Sequence, residues 1–156
     1  TIISYWMRYL FRSQAPGLYH YPSGSNSLGF ALPAAVGALT GTRGERAYVI
    51  TGDGNFPYFA AELQTAAEYS LDITVVLFND SGYGVLREWE KWGGLEKIGV
   101  NLKNPDFGKI CAASGIDYNR ADSPRELGVV LESTKKRRGT ALIEVREDLL
   151  PPWKVL

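Results

Sequence analysis

The run Ile73-Thr-Val-Val-Leu-Phe78 constrains the fold more than any other stretch of this sequence. It is almost continuously apolar and β-branched, without the alternation of a strand that faces water on one side. Such a strand is buried on both faces, which happens where helices cover both sides of a parallel sheet. The flanking sequence agrees. Ala47-Tyr-Val-Ile-Thr51 reads as a second short strand ending at Gly52, Thr140 to Val145 as a third, and Asp117 to Ala121 as a weaker fourth. Between them lie segments of helical period. Ser27 to Thr40 is rich in small residues, with Pro33 in its first turns, and Gly41-Thr-Arg-Gly44 breaks it. Phe59 to Tyr69 sets Leu63, Ala66 and Ala67 at helical spacing, and Tyr83 to Trp92 follows the long strand. Pro105 to Ser114 opens on an Asn104-Pro105 cap signal and stops at Gly115. A capping box, Ser123-Pro-Arg-Glu126, opens a helix running to Gly139. Strand and helix alternate through short loops. The expectation is an α/β fold, one three-layer α/β/α domain over residues 1–156 with a central, mostly parallel sheet.

Size and composition exclude several alternatives. A chain of 156 residues suits one domain and buries roughly 70% of its unfolded surface, so a core forms without staples. Cys111 is the only cysteine, which excludes a disulfide within the chain and fits a reducing compartment. Seventeen basic and seventeen acidic residues cancel, leaving no global attraction to nucleic acid or a membrane surface. No apolar run approaches the roughly 18 residues of a membrane span, and the first residues lack a secretory leader. The expected location is the cytoplasm. Lys135-Lys-Arg-Arg138 is read as helix-terminal charge that complements the helix dipole. The first 13 residues look like an amphipathic helix whose Tyr5, Trp6, Tyr9, Leu10 and Phe11 pack against something, a second chain being one option.

Ligands of open parallel sheets bind beyond the carboxyl ends of the strands. Two strand ends here carry Gly52-Asp53-Gly54-Asn55 and Asn79-Asp80-Ser81-Gly82-Tyr83-Gly84. Asp53 and Asp80 are one loop–helix–loop–strand unit apart. If their strands are neighbours, the carboxylates emerge on one edge about 5 Å apart. Carboxylates that close repel unless a cation sits between them. An oxygen-only donor set selects a hard ion such as Mg²⁺ or Ca²⁺. A hard ion with two carboxylates keeps open positions for water or phosphate oxygens, and the helices after each turn offer N–H groups to the same phosphates. The inferred ligand is Mg²⁺ with a diphosphate. The plainer alternative is that both acids cap the helices that follow.

Gly52-Asp53-Gly54 with Asn79-Asp80 downstream resembles the thiamine diphosphate motif of the 2-oxo acid decarboxylase and acetolactate synthase superfamily. Ser27 to Gly37 upstream and Gly82-Tyr83-Gly-Val-Leu-Arg87 downstream belong to the same pattern, which is similar above all to benzoylformate decarboxylase. The resemblance implies the C-terminal, diphosphate-binding domain of such an enzyme, with thiamine diphosphate and Mg²⁺ as cofactors. It implies that Asp53, Asp80 and the Gly82 carbonyl ligate the metal. Gly52, Gly54, Asn55, Ser81 and Tyr83 complete the implied cofactor site, Asn55 standing where Ser is usual and Asp80 where Asn is common. Leu28 matches the residue that wedges beneath the cofactor and bends it, and Asn26 the residue whose carbonyl receives its amino group; these are the implied catalytic positions. The alternative for Leu28 is an ordinary core leucine at a helix start. Val85, Leu86 and Trp89 match substrate-pocket positions or form a packing face. Thr1 matches a position near the diphosphate, and His20 is either structural or a proton relay.

The activating glutamate of such enzymes belongs to a pyrimidine-binding domain, and no glutamate here matches it; Glu62 is read as a structural or interface residue, and Glu88 and Glu90 have no motif support as catalysts. The resemblance therefore implies half an active site, completed by a pyrimidine-binding domain or subunit in a homo- or hetero-oligomer. The implied activity is decarboxylation of a small-molecule 2-oxo acid, with or without ligation of the product to a second carbonyl. A non-catalytic or regulatory thiamine diphosphate-binding module is the alternative.

Overall fold

Strands β1 (Ala47–Gly52), β2 (Ile73–Asn79), β3 (Asp117–Ala121) and β4 (Ala141–Arg146) form one sheet in the order β1-β2-β4-β3. Every neighbouring pair is parallel. The structure, a computed structural model, describes residues 1–42 and 45–156. Arg43 and Gly44, part of the expected helix-breaking segment, lie outside the described residues.

Within β2 the side chains alternate between two cores. Val75 and Leu77 join one cluster with Leu32 and Leu39 of α2 (Ala31–Gly41), Leu63 and Ala66 of α3 (Glu62–Glu68), and Phe107 and Cys111 of α5 (Phe107–Ala113). Val76 joins Ile143 and Val145 of β4 in a second cluster, covered by Leu127, Val130 and Leu131 of α6 (Pro124–Lys135). This double burial is what the unbroken apolar run required. The handedness rule explains which helix covers which face. β1→β2 and β2→β3 travel the same way across the sheet, so α3 and α5 share a face. β3→β4 steps back, and a right-handed crossover then delivers α6 to the opposite face. Among the described residues no helix is long and apolar enough to cross a membrane.

Several expected boundaries shift, each for a local reason. The helix expected from Ser27 begins only at Ala31, because Asn26 (φ 49°) and Gly29 (φ 85°) are left-handed and cannot continue a helix. A tight 3₁₀ turn, Asp53–Tyr58, precedes α3, so no α-helix starts directly after the first glycine turn. α5 is capped by Asp106, which accepts from the Lys109 N–H, and not by Asn104. The capping box of α6 closes one residue early: Ser123 accepts from the Glu126 N–H, while Glu126 accepts from the N–H of Asp122. α6 ends at Lys135, so the basic run divides: Lys135 pairs with Glu132, Arg137 with Asp117 at 3.2 Å, and Arg138 with Asp72 at 2.5 Å. The aromatic helix α1 (Ile2–Leu10) packs on its own chain. Trp6 donates to the Leu150 carbonyl at 2.7 Å, and the Tyr5 ring meets Trp153 edge-on at 5.1 Å. Tyr9, Leu10 and Phe11 stay exposed.

At the amino ends of the strands, Asp72 ties three segments together. It accepts from Arg138 and from the Gly139 N–H before β4, and Arg46 before β1 lies 3.7 Å away. Burial pushes the Asp72 carboxyl up, but those hydrogen bonds and the two guanidinium charges outweigh it and hold the carboxyl below its ordinary 3.8. A depressed carboxyl contributes stability that is fully present above pH 3.8 and is lost as pH falls through the lower folded value. Asp72→Asn should therefore cost about 1.5–3 kcal/mol near neutral pH, the range for hydrogen bonds to a charged group. The gap to wild type should narrow as the solution is taken below pH 3.8, as read by urea midpoints at each pH.

Candidate functional site

β1 and β2 are direct neighbours, with Gly52 opposite Phe78. Asp53 and Asp80 follow at the same carboxyl edge, as two adjacent parallel strands require. The Asp53 side chain is 1% exposed, and a carboxylate at that depth must be hydrogen-bonded. It is. Oδ1 accepts from the Gly54 N–H at 2.9 Å, and Oδ2 accepts from the Gly82 N–H at 3.0 Å and from Asn104 Nδ2 at 2.5 Å. Asp80 is pushed up to about 6, first by burial and then by the charge of Asp53. Arg87 opposes that shift, donating from Nη2 to both Oδ2 and the carbonyl of Asp80 at 2.8 Å each.

Burial and the charge of Asp53 both disfavour the ionised form of Asp80, and a cation between the two acids would relieve that cost. Among the described residues no third acid, His or Cys joins them, so a cation there would complete its shell from carbonyl and ligand oxygens. Such an oxygen set suits Mg²⁺ or Ca²⁺. A Cβ on Gly84 would lie 2.0 Å from Asp80 Oδ2, and one on Gly54 would lie 2.7 Å from the Tyr83 ring. Glycine at these positions lets the two turns close on each other. The residues present fit a hard cation with a diphosphate.

The remaining expected positions divide. Leu28 is 42% exposed and stands on a loop, not in the core, which removes the reading of an ordinary core leucine. Asn26 lies on the same loop, its side chain accepting from the Tyr21 hydroxyl at 2.7 Å. Asn55 is held on both sides of its amide: Oδ1 accepts from the Gly29 N–H at 2.6 Å and Nδ2 donates one hydrogen to Thr51 at 2.8 Å. It pins the Leu28 loop to the first glycine turn. The Ser81 N–H is likewise engaged, donating to Asn79 Oδ1 at 3.1 Å. The Tyr83 phenol pairs with that of Tyr58, which together with burial raises it above the usual range. Thr1 packs its side chain against Gly52. Val85 is buried while Leu86 and Trp89 are exposed, so the three do not share one environment. His20 is exposed, and Glu88 pairs with Lys154. Asn104 is the site residue that sequence reasoning missed. Its cap-like position before Pro105 disguised a side chain that reaches Asp53.

These turns, strands and glycines are those of a known class. Residues 2–145 match the family described as thiamine pyrophosphate enzyme, C-terminal TPP binding domain, and the chain belongs to that family. Among curated relatives it is 36% identical over 148 residues to a probable 2-ketoarginine decarboxylase of Pseudomonas aeruginosa, covering 94% of this chain and 26% of the relative. It is 32% identical over 143 residues to an acetolactate synthase of Bacillus subtilis, covering 92% and 25%. A solved thiamine diphosphate-dependent 4-hydroxybenzoylformate decarboxylase of Rhodococcus jostii superposes with a TM-score of 0.74 at 28% identity, covering 81% of this chain and 24% of that one. The chain thus spans about a quarter of the length of the relatives it matches.

The close approach at Gly84 is directly testable. Gly84→Ala should displace the Asp80 carboxylate, because the new methyl meets Oδ2 at 2.0 Å and that oxygen is already held by Arg87. The expected result is a Mg²⁺ affinity at least about ten-fold weaker, from metal titrations, with the fold retained by circular dichroism.

Proposed function

We propose that this chain is the C-terminal, diphosphate-binding domain of a thiamine diphosphate- and Mg²⁺-dependent enzyme that decarboxylates a 2-oxo acid. In such an enzyme the product is either released or ligated to a second carbonyl, as in acetolactate synthesis. One observation carries the reading: Asp53 and Asp80 follow adjacent parallel strands at one edge, where the charge of Asp53 and burial raise Asp80 and glycines let the two turns close on each other.

Asp53 and Asp80 would hold Mg²⁺ through their carboxylates and Gly82 through its carbonyl. When bound, the cofactor would supply a carbon nucleophile and an electron sink for loss of CO₂. The chain's own contribution is placement. Asn55 fixes Gly29 and with it the exposed Leu28, which is then available to support the cofactor from below. Asn26 presents its backbone at the head of the same loop. Arg87 keeps Asp80 ionised near neutral pH by opposing both burial and the charge of Asp53. Leu86 and Trp89, exposed on α4 (Gly84–Trp92), offer an apolar wall for the substrate substituent.

A pyrimidine-binding domain, on this or another chain, would contribute the activating glutamate. Leu28, Phe30, Leu86, Trp89 and Trp92 are exposed apolar side chains that such a partner would be able to cover. The natural assembly is then an oligomer in which each site is shared between domains.

Asp53→Ala provides the test. Calorimetry should show thiamine diphosphate binding to the wild type only when Mg²⁺ is present, and a loss of about two orders of magnitude or more in the variant. Unchanged binding in Asp53→Ala would overturn the assignment. Cofactor binding without CO₂ release from any 2-oxo acid, with the pyrimidine-binding domain present, would instead favour a binding-only module.

A further inference from the structure

Glu144 is an acid that no step above uses. It lies in the middle of β4, opposite Leu77 of β2 and Arg120 of β3, and is 2% exposed. A charge buried inside a sheet is costly unless its oxygens are fully satisfied. Three strands supply the donors. Oε1 accepts from Asn79 Nδ2 at 2.7 Å and from Arg146 Nε at 3.0 Å, and Oε2 accepts from the Tyr118 hydroxyl at 2.5 Å. Burial raises the carboxyl, but these donors outweigh it and hold it below its ordinary range, so it is an anion at neutral pH.

An anion at each end determines the orientation of everything between. A carboxylate only accepts, so Asn79 must turn its NH₂ towards Glu144 and its carbonyl oxygen the other way. That oxygen accepts from Asn104 Nδ2 at 2.8 Å, and the second hydrogen of the same amide goes to Asp53 Oδ2 at 2.5 Å. Flipping either amide would set donor against donor or oxygen against carboxylate. The path Tyr118–Glu144–Asn79–Asn104–Asp53 therefore has one consistent polarity, running from the far edge strand of the sheet to the metal turn.

We propose that Glu144 is a positioning residue for the metal and diphosphate site, its carboxylate orienting the Asn79 amide and, through Asn104, aiming Asp53. Glu144 touches neither cation nor phosphate. The inference rests on the reading that Asp53 holds Mg²⁺.

Glu144→Gln keeps the side-chain volume but removes the charge that anchors Asn79 and Arg146, and its NH₂ is accommodated only if the Tyr118 hydroxyl turns from donor to acceptor. In the full chain with thiamine diphosphate present, the Mg²⁺ concentration for half-saturation should rise about ten-fold, the size expected for a residue behind a metal ligand. The Tyr118→Phe variant, which removes one donor and leaves the backbone intact, should give a smaller rise in the same direction. In the metal-free protein, nuclear magnetic resonance should show the side-chain amide signals of Asn79 and Asn104 shifting in both variants. Asn104→Ala should weaken Mg²⁺ similarly, and combining it with Glu144→Gln should add little, because both act through one path. Should Glu144→Gln not fold, Tyr118→Phe and Asn104→Ala carry the same comparison. Unchanged Mg²⁺ dependence in these variants, or losses from Glu144→Gln and Asn104→Ala that simply add, would overturn the positioning role while leaving the cofactor assignment intact. Absence of Mg²⁺-dependent binding in the wild type would instead overturn the cofactor assignment, and this inference with it.

Discussion

A carboxylate at 1% exposure has to be satisfied from every side, and the arrangement around Asp53 answers that requirement. Its three donors come from its own turn (Gly54), from the turn after β2 (Gly82) and from the segment before α5 (Asn104). These pieces are brought together by the acid they share. The loop carrying Asn104 is further fastened to the second turn, where the Tyr83 N–H donates to the Val100 carbonyl at 2.8 Å and the Leu102 N–H to the Ser81 carbonyl at 2.9 Å. Burying one acid thus organises one whole end of the sheet.

The opposite end follows the same physics with a different purpose. Asp72 is buried among guanidinium groups and a backbone N–H, and the result is a closed ion pair. Asp53 and Asp80 instead face each other as like charges, and Arg87 pairs with Asp80. Where the protein supplies the counter-charge, as at Asp72, the acid holds strands together; at Asp53 and Asp80 the proposed cation takes that role.

Much of this was legible in the residues. The β2 run, the glycine turns and the one-unit spacing led to a parallel sheet with both acids on one edge, and the sheet has that form. What stayed hidden has a common cause. The hydrogen bonds from Asn104 to Asp53 and from Gly29 to Asn55 join segments that no local cap or motif rule connects. Asn104 and Asp53 are 51 residues apart, and Asn55 and Gly29 are 26 apart. A side-chain amide serves either role equally well, so nothing in its chemistry announces the choice. The start of α2 failed for a different reason: small apolar residues fit a helix, and only the left-handed backbone at Asn26 and Gly29 excludes it.

By itself the sequence determined the fold class, the strand that would be central, and the family to which the glycine and acid pattern belongs. Those depend on periodicity and on residue types that tolerate few alternatives, such as an unbroken β-branched run or glycine beside an acid. Only the tertiary structure decided which polar groups meet across the sheet, that the Leu28 loop hangs from Asn55, and that a buried Glu144 lies two amides away from Asp53. Hydrogen-bond partners between distant segments are set by strand order and register, and those exist only once the chain has folded.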